Sequence, residues 1–228
     1  MKNYPIIATE RFDNANLHIR YCLSFLKKYI KGSILEIGAG CGSFTRHYIS
    51  SKLKNIILTD SDKKNNKNLK KKFKNFSKVK ILNKKIYKIT QKFDTILYLH
   101  VLEHIKEDRA ELKEAEKKLK KNGYLVIMVP AHQKLYGKFD KAVGHFRRYE
   151  KSFFKIKLNK LSRIKLMSLD SSGYLLYYLN RVFFSEETFP SNFKIFVWDK
   201  IFTPISIIFD FITNYNFGKC IIAIYKKN

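Results

Sequence analysis

The sequence is short of cysteine. Its three cysteines, Cys22, Cys41 and Cys220, lie far apart and form no paired spacing, so neither a disulfide framework nor a structural zinc site is indicated. A reducing cytoplasm is the simplest compartment for such a chain. The first residues, M-K-N-Y-P-I-I-A-T-E-R, lack the apolar core of a signal peptide, and we therefore expect the protein to stay inside the cell.

Acidic residues are also scarce. Aspartate and glutamate number 19 against 46 lysines and arginines, which gives a net charge of +27. Such an excess suggests nucleic acid, an anionic membrane surface or an acidic substrate as a partner. The lysines are spread along the chain among many asparagines and isoleucines, however, so a composition bias is the simpler explanation. Hydrophobic residues make up 45% of the chain, and disorder is not expected away from the termini.

Short apolar segments alternate with helical patterns, which predicts one α/β domain with a parallel sheet. The predicted strands are residues 33–37, 55–59, 79–82, 93–99, 124–129, 163–169 and 219–225. The predicted helices are residues 14–31, 43–52, 61–76, 107–120, 151–161, 174–184 and 193–213. The long polar connection 131–149 is predicted to be functional, since loops of that length are uncommon inside compact domains.

The most apolar segment is 193–213. Two lysines and two aspartates interrupt it, and Pro204 is expected to kink it, so a membrane-spanning helix is not predicted. We expect a core or lid helix here. Docking of its apolar face on a membrane surface is the alternative.

A glycine-rich turn follows the first predicted strand. Residues Ile34 to Gly42 read I-L-E-I-G-A-G-C-G, and such a turn lets a ligand touch the backbone. Asp60 closes the second strand, and H-V-L-E-H, residues 100–104, follows the fourth. Ligands of parallel sheets bind at the carboxyl ends of the strands, so we expect these residues to share a site. The dinucleotide motif G-x-G-x-x-G is the other candidate, but here the third glycine comes one place early.

Glu36 with the glycine turn, Asp60, and F-D-T-I-L-Y in the fourth strand together resemble the class I S-adenosylmethionine-dependent methyltransferases. The resemblance continues through L-V-I-M-V-P-A, L-Y-G-x-F-D-x-x-x-G-H-x-R-R-Y and F-G-K-C-I-I-A, and it covers nearly the whole chain. It implies a Rossmann-like α/β fold: a mostly parallel seven-stranded sheet, helices on both faces, and a helical insertion before the last strand. The single domain would comprise an N-terminal helical segment (1–32), a cofactor-binding core (33–150) and an acceptor-side region (151–228).

The resemblance implies S-adenosylmethionine as the cofactor. The glycine turn would pack against its methionyl and ribose parts, and Asp60 would accept hydrogen bonds from the ribose hydroxyls. The implied cofactor-binding residues are Glu36, Gly38, Ala39, Gly40, Gly42, Asp60, Ser61, Leu99 and His100. One departure concerns the adenine, since Lys85 stands where the family often has an acid. His100 is a second departure, because many relatives have a small polar residue there.

Methyl transfer from a sulfonium is an in-line displacement, so the protein must align the acceptor and exclude water. A hydroxyl acceptor also needs a base, and imidazole titrates near neutrality. The candidate catalytic residues are His104, His145 and Tyr149. His100 and His104 are four residues apart, but the pattern is not H-E-x-x-H and no third ligand is evident, so no metal site is predicted.

The candidate acceptor-binding residues are His132, Arg147 and Arg148. Paired arginines fit a phosphate or a carboxylate, and the alternative is a salt-bridge cluster with Asp140 or Glu150 that anchors the loop.

The acceptor itself is predicted by exclusion. Enzymes of this fold that methylate nucleic-acid amino groups carry N-P-P-Y or D-P-P-Y after the fourth strand, where this chain has L-H-V-L, and the cysteine of cytosine C5 enzymes is absent there too. A separate RNA-binding module is not expected. We therefore predict a small-molecule, saccharide or lipid-linked acceptor, with an anionic membrane surface as a possible partner. RNA methylation and a non-catalytic partner subunit are the alternatives, and no oligomeric state is predicted.

Overall fold

The structure, a computed structural model, describes residues 11–156, 158–183 and 189–228. The strands are β1 Ser33–Ile37, β2 Asn55–Thr59, β3 Val79–Leu82, β4 Phe93–Leu99, β5 Leu119–Pro130, β6 Leu161–Leu169 and β7 Cys220–Lys227. The α-helices are α1 Asn16–Leu26, α2 Thr45–Tyr48, α3 Lys63–Lys72, α4 Asp108–Lys118, α5 Lys138–Val143, α6 Ser171–Phe183, α7 Asn192–Val197 and α8 Thr203–Ile212. Parts of three predicted helical regions, residues 1–10, 157 and 184, lie outside the described residues.

The strands form one sheet in the order β3-β2-β1-β4-β5-β7-β6. Strands β1 to β5 run parallel, and β7 lies antiparallel between β5 and β6. The predicted fold, a mostly parallel seven-stranded sheet with a helical insertion before the last strand, is confirmed. Because β1 pairs with β2 on one side and β4 on the other, the strand order reverses there, which is where open α/β sheets bind ligands.

The core lies on both faces of the sheet. All five residues of β1 are buried, and neighbouring residues point to opposite faces. Ile34 belongs to the apolar cluster that contains Leu26 of α1, whereas Leu35 belongs to the cluster that contains Leu112 of α4. A strand covered on both faces needs a nearly continuous apolar run, and residues 34–37, I-L-E-I, have one that only Glu36 interrupts.

Helix 151–161 was predicted wrongly. Only a short 3₁₀ helix, Lys151–Lys155, forms, and β6 already begins at Leu161. The carbonyl oxygen of Phe154 accepts hydrogen bonds from the Tyr225 hydroxyl (2.9 Å) and the Arg163 guanidinium (2.8 Å). Side chains of β7 and β6 therefore donate to the carbonyl oxygen that a continuing helix would have used as an acceptor.

Other boundaries differ by less. The helix after the glycine turn is a single turn, Thr45–Tyr48, instead of reaching residue 52. Helix α3 begins at Lys63 because the Asp62 side chain accepts hydrogen bonds from the backbone N–H groups of Lys64 and Asn65. Strand β5 begins at Leu119, within the predicted helix 107–120.

The segment predicted as one helix, 193–213, is three pieces. A π-helical turn, Trp198–Phe202, separates α7 from α8, and Pro204 falls in the first turn of α8, where its missing N–H costs little. Asp210 points inward and accepts hydrogen bonds from the backbone N–H of Asp170 (2.7 Å) and the Tyr21 hydroxyl (2.9 Å). Among the described residues, no helix has both the length and the apolarity to cross a bilayer.

Candidate active site

The glycine turn closes tightly over the end of the sheet. Gly38, Gly40 and Gly42 all have left-handed φ angles, of 65°, 56° and 76°. A Cβ atom on Gly38 would lie 2.1 Å from the Val101 side chain, which follows β4. The backbone N–H of Ala39 donates to the carbonyl of Thr59 at 2.9 Å, which extends the β1–β2 ladder into the turn. Position 38 therefore accommodates only glycine, because the backbone conformation is left-handed and there is no space for a Cβ atom.

Asp60 holds this turn from the end of β2. Its Oδ2 accepts the backbone N–H of Gly40 and its Oδ1 accepts that of Asp62, both at 2.8 Å. Burial raises the pKa of Asp60. Oδ1 also accepts a hydrogen bond from the Asn65 side chain at 3.3 Å, whereas Oδ2 can accept a second one, so the group can hold the turn and still bind a hydroxyl.

Glu36 acts beneath the turn. Its carboxylate is buried, and Oε2 accepts hydrogen bonds from the hydroxyls of Thr45 and Tyr48, both at 2.6 Å. Burial raises the pKa of Glu36 to about 7, so near neutrality it carries only part of a negative charge. Glu36 therefore links α2 to β1.

The remaining predicted cofactor residues lie at the same edge. Leu99 is buried at the end of β4, and Ser61 is exposed after β2. His100 has a φ of 56°, and its backbone N–H donates to the carbonyl of Met128 at 2.8 Å. Its ring centroid lies 6.3 Å from that of Phe44. Lys85, at the position of the family's adenine acid, is exposed.

Two predicted catalytic histidines meet beside this edge. The rings of His104 and His145 pack edge to face, with centroids 4.5 Å apart. Between them and His100 lies Glu103, whose Oε1 is 3.6 Å from His100 Nδ1 and 3.8 Å from His145 Nε2. Burial lowers the pKa of His104 to about 4, so this imidazole is neutral at physiological pH.

Asp140 orients His145. Asp140 Oδ1 lies 2.6 Å from His145 Nδ1 and accepts a hydrogen bond from the Arg148 guanidinium, and Asp140 Oδ2 accepts one from the Gly137 backbone N–H. Although burial alone raises the pKa of Asp140, the hydrogen bond from His145 and the charge of Arg148 hold it below its usual range. Asp140 is therefore a carboxylate, and Nδ1 of His145 carries the proton of their hydrogen bond.

Of the predicted residues, Arg148 and Tyr149 are buried and Arg147 is partly exposed. Arg148 is buried against Asp140, Arg147 contacts Asp108 Oδ2 at 2.5 Å, and the Tyr149 hydroxyl lies 2.9 Å from the same oxygen. Tyr149 is 2% exposed, and burial raises the pKa of its hydroxyl. These contacts favour the alternative in which the arginines anchor the loop, and they give Tyr149 the same structural role.

His132 lies apart from the other histidines. It has a φ of 64°, and its Nε2 is 3.0 Å from the carbonyl oxygen of Gly218. Its ring packs edge to face on Tyr174, with centroids 5.0 Å apart, and burial lowers its pKa. Its predicted role in acceptor binding stays a prediction.

Sequence reasoning missed the aromatic wall next to His145. Phe139 packs on the His145 ring, Phe12 packs on Phe139, and Trp198 packs on Phe12, with centroid separations of 6.2, 5.9 and 6.0 Å. These rings come from three distant parts of the chain, so no local pattern connects them. Glu103 stands in the quoted H-V-L-E-H motif, but its place among the histidines depends on the fold.

Comparison with known proteins follows this geometry. Residues 14–168 match the family described as "Methyltransferase domain". The match covers more than half of the chain, and the chain belongs to this methyltransferase family. The class predicted from the sequence is therefore confirmed. A comparison with curated proteins finds no match.

Several solved structures share the fold. The N-methyltransferase NodS from Bradyrhizobium japonicum, in complex with S-adenosylhomocysteine, is 15% identical over 99% of this chain and 89% of its own, with a TM-score of 0.57. Coclaurine N-methyltransferase, bound to N-methylheliamine and S-adenosylhomocysteine, is 16% identical over 93% and 72%, with a TM-score of 0.62. The YcgJ protein from Bacillus subtilis is 16% identical over 92% and 98%, with a TM-score of 0.61. S-adenosylhomocysteine is S-adenosylmethionine without its methyl group, so the first two structures agree with the predicted cofactor.

Substitution of Gly38 tests the turn. Gly38→Ala should lower the free energy of unfolding by about 2–4 kcal/mol, because a left-handed alanine is strained and its methyl group overlaps Val101. Gly144 also has a left-handed φ, of 81°, but its Cβ would meet nothing within 4 Å. Gly144→Ala should therefore cost only about 1–2 kcal/mol in the same denaturant titration. Equal losses would show that Val101 does not constrain the turn.

Proposed function

We propose that the protein transfers a methyl group from S-adenosylmethionine to a small acceptor that is linked to a lipid. The observation that carries the methyl-transfer part is the Gly38–Gly42 turn, which Asp60 locks at the point where the strand order reverses. A cofactor on this turn would have its ribose hydroxyls beside the carboxylate of Asp60. Its methionyl part would lie against the glycine backbone, where no side chain keeps it away.

The acceptor would enter from the side of the His104–His145 pair. His104 follows β4, His145 packs on it, and the pair lies near the glycine turn, since Val101 packs against Gly38. The aromatic wall of Phe12, Phe139 and Trp198 would exclude water there, and exclusion of water favours an in-line displacement. NodS and coclaurine N-methyltransferase are N-methyltransferases by name, and the second is bound to a small molecule. These relatives support a small acceptor over a nucleic acid.

The lipid part of the proposal comes from the segment 192–212, which has its polar side inward. The buried positions of α8 are Thr203, Ser206 and Asp210. The outward positions of the segment are apolar and largely exposed, and they are Phe193 (73%), Phe196 (57%), Ile201 (52%), Ile208 (61%), Phe209 (52%), Phe211 (73%) and Ile212 (68%). We call this surface the apolar lid face.

An anionic membrane is the occupant that this face fits. Apolar patches of this kind mark interaction sites, and an apolar helix face that lies in the membrane interface is strengthened by positive charge. The net charge of +27 supplies that attraction, and Lys194 and Lys200 are exposed within the same segment. The inner side of the segment contributes Trp198, which packs on Phe12 in the aromatic wall. If the segment lay on a membrane, lipid-linked acceptors would therefore be next to the site.

Cofactor binding is testable by titration calorimetry. S-adenosylmethionine should bind the wild-type chain, and Asp60→Ala should weaken binding about 10- to 100-fold, because the hydroxyls lose a charged acceptor. Asp62→Ala is the matched control, since it removes a nearby carboxylate that only caps α3. Binding of NADH in place of S-adenosylmethionine, or equal losses in the two variants, would contradict the assignment.

The class of acceptor is testable with methyl-labelled S-adenosylmethionine. We expect label in the lipid fraction of a cell extract and none in bulk tRNA or rRNA. The same reaction with the Asp60→Ala variant controls for non-enzymatic labelling. Label in RNA but not in lipid would overturn the proposed acceptor in favour of RNA methylation.

Membrane docking is testable by vesicle flotation. The wild-type chain should float with vesicles that contain phosphatidylglycerol. The double variant Phe211→Ser, Ile212→Ser should bind at least about tenfold more weakly, since each exposed apolar side chain contributes about 1.5 kcal/mol or more in an apolar phase. Phe76→Ser, which changes an exposed phenylalanine on another surface, should bind normally. If the wild type is a dimer that the double variant breaks, and vesicles do not bind, the lid face is instead a contact between two copies.

A further inference from the structure

Three potential metal ligands converge beside the proposed cofactor site. Glu103 and His104 lie in the 3₁₀ turn that follows β4, and His145 lies after the end of α5. One ligand atom from each of the three lies within 4.8 Å of the other two. The sequence alone indicated no third ligand, because the fold brings His145 to the H-V-L-E-H motif. We propose that Glu103, His104 and His145 bind a divalent transition-metal ion.

The carboxylate of Glu103 is the first reason. The residue is 1% exposed, and its Oε2 makes no hydrogen bond to any residue in the described part of the chain. Its Oε1 pairs with His100 Nδ1 at 3.6 Å and with His145 Nε2 at 3.8 Å, so Oε2 is the oxygen without a partner. A buried carboxylate oxygen without a partner is costly, and a bound ion is one explanation for it. A cation would satisfy it.

The orientation of the histidines is the second reason. Nδ1 of His145 lies against Asp140, so the other ring nitrogen, Nε2, faces Glu103. His104 hydrogen-bonds to the backbone of Gly144. Ligating histidines in proteins commonly donate their other ring N–H to a carboxylate or a backbone carbonyl, which fixes the ring for the metal. Both arrangements are therefore present before an ion binds.

The donor set selects the kind of ion. Two imidazole nitrogens and one carboxylate oxygen suit zinc and its first-row neighbours, whereas magnesium and calcium prefer oxygen ligands. With metal–ligand bonds of about 2.1 Å, tetrahedral ligands lie about 3.4 Å apart. The present spread of up to 4.8 Å thus closes by small side-chain rotations. Three protein ligands leave a coordination position open, as in catalytic zinc sites.

An ion at this position would also account for acceptor activation. A hydroxyl that occupies the open position would have its pKa lowered, and His104 and His145 would then be ligands and not bases. This consequence rests on the proposed methyl transfer. Metal binding itself does not, because it is measured without cofactor or acceptor.

The test is the metal content of the purified full-length chain. After incubation with Zn²⁺ and removal of the excess, elemental analysis should find about one zinc per wild-type chain. His145→Gln and Glu103→Gln should each retain at least about tenfold less. His132→Gln removes a histidine outside the cluster and should retain zinc as the wild type does. Equal zinc in the wild type and His145→Gln would overturn the proposal.

Two further measurements guard against misfolding and against surface binding. Co²⁺ should give the visible absorption of a four- or five-coordinate site in the wild type and in His132→Gln, and lose it in Glu103→Gln, which preserves side-chain volume. Zn²⁺ should raise the thermal unfolding midpoint of the wild type but not of Glu103→Gln. Absence of both effects in the wild type, or a rise with Mg²⁺ and none with Zn²⁺, would overturn the proposal. Calorimetry with S-adenosylmethionine on the same samples shows whether the cofactor binds, so a failure to bind metal can be told apart from a failure of the proposed methyl transfer.

Discussion

The hydrogen bond from the Gly40 backbone to the Asp60 carboxylate is the contact on which the site depends. Strands β1 and β2 end side by side, with Ile37 paired to Thr59, and the chain must then leave the sheet at both ends. Asp60 joins these two exits, since it accepts from the turn after β1 and from Asp62 at the start of α3. The two loops therefore form one unit before any ligand arrives. A ligand that meets a preformed seat loses less free energy in ordering it.

Asp140 does for the loop 131–149 what Asp60 does for the glycine turn. It is fully buried, and it joins the start of α5, the His145 ring and the Arg148 side chain. A buried carboxylate is stable only when its oxygens are well paired, and here a guanidinium, an imidazole and a backbone N–H pair them. Because all three partners converge on one group, the loop 131–149 has a fixed shape. This shape sets the direction in which His145 presents Nε2.

The sequence predicted β1, the glycine turn and β2 well because their signals are local. The apolar residues of β1, the glycines that must adopt left-handed φ angles and the acid closing β2 lie within about two dozen residues of one another. The loop 131–149 and the segment after it depend on distant contacts. The Arg148 side chain points inward because it donates a hydrogen bond to Asp140. The predicted helix 151–161 does not form because the Tyr225 hydroxyl donates to the carbonyl oxygen of Phe154. Residue types in a loop show which chemistry is available, but only packing shows which atoms face the site.

The segment 192–212 shows a different limit of prediction from sequence, since its composition suggests a helix that is stabilised by apolar burial. Most of its inward contacts are polar: Asp210 accepts two backbone N–H groups at the start of α6, and Ser206 donates to Asp170 at 2.9 Å. Trp198 is the main apolar anchor. Hydrogen bonds in a buried network therefore attach the segment 192–212 to the rest of the fold, and such bonds are strong where water is excluded. Since that network does not involve the outward phenylalanines and isoleucines, the outer face can be apolar without weakening the fold.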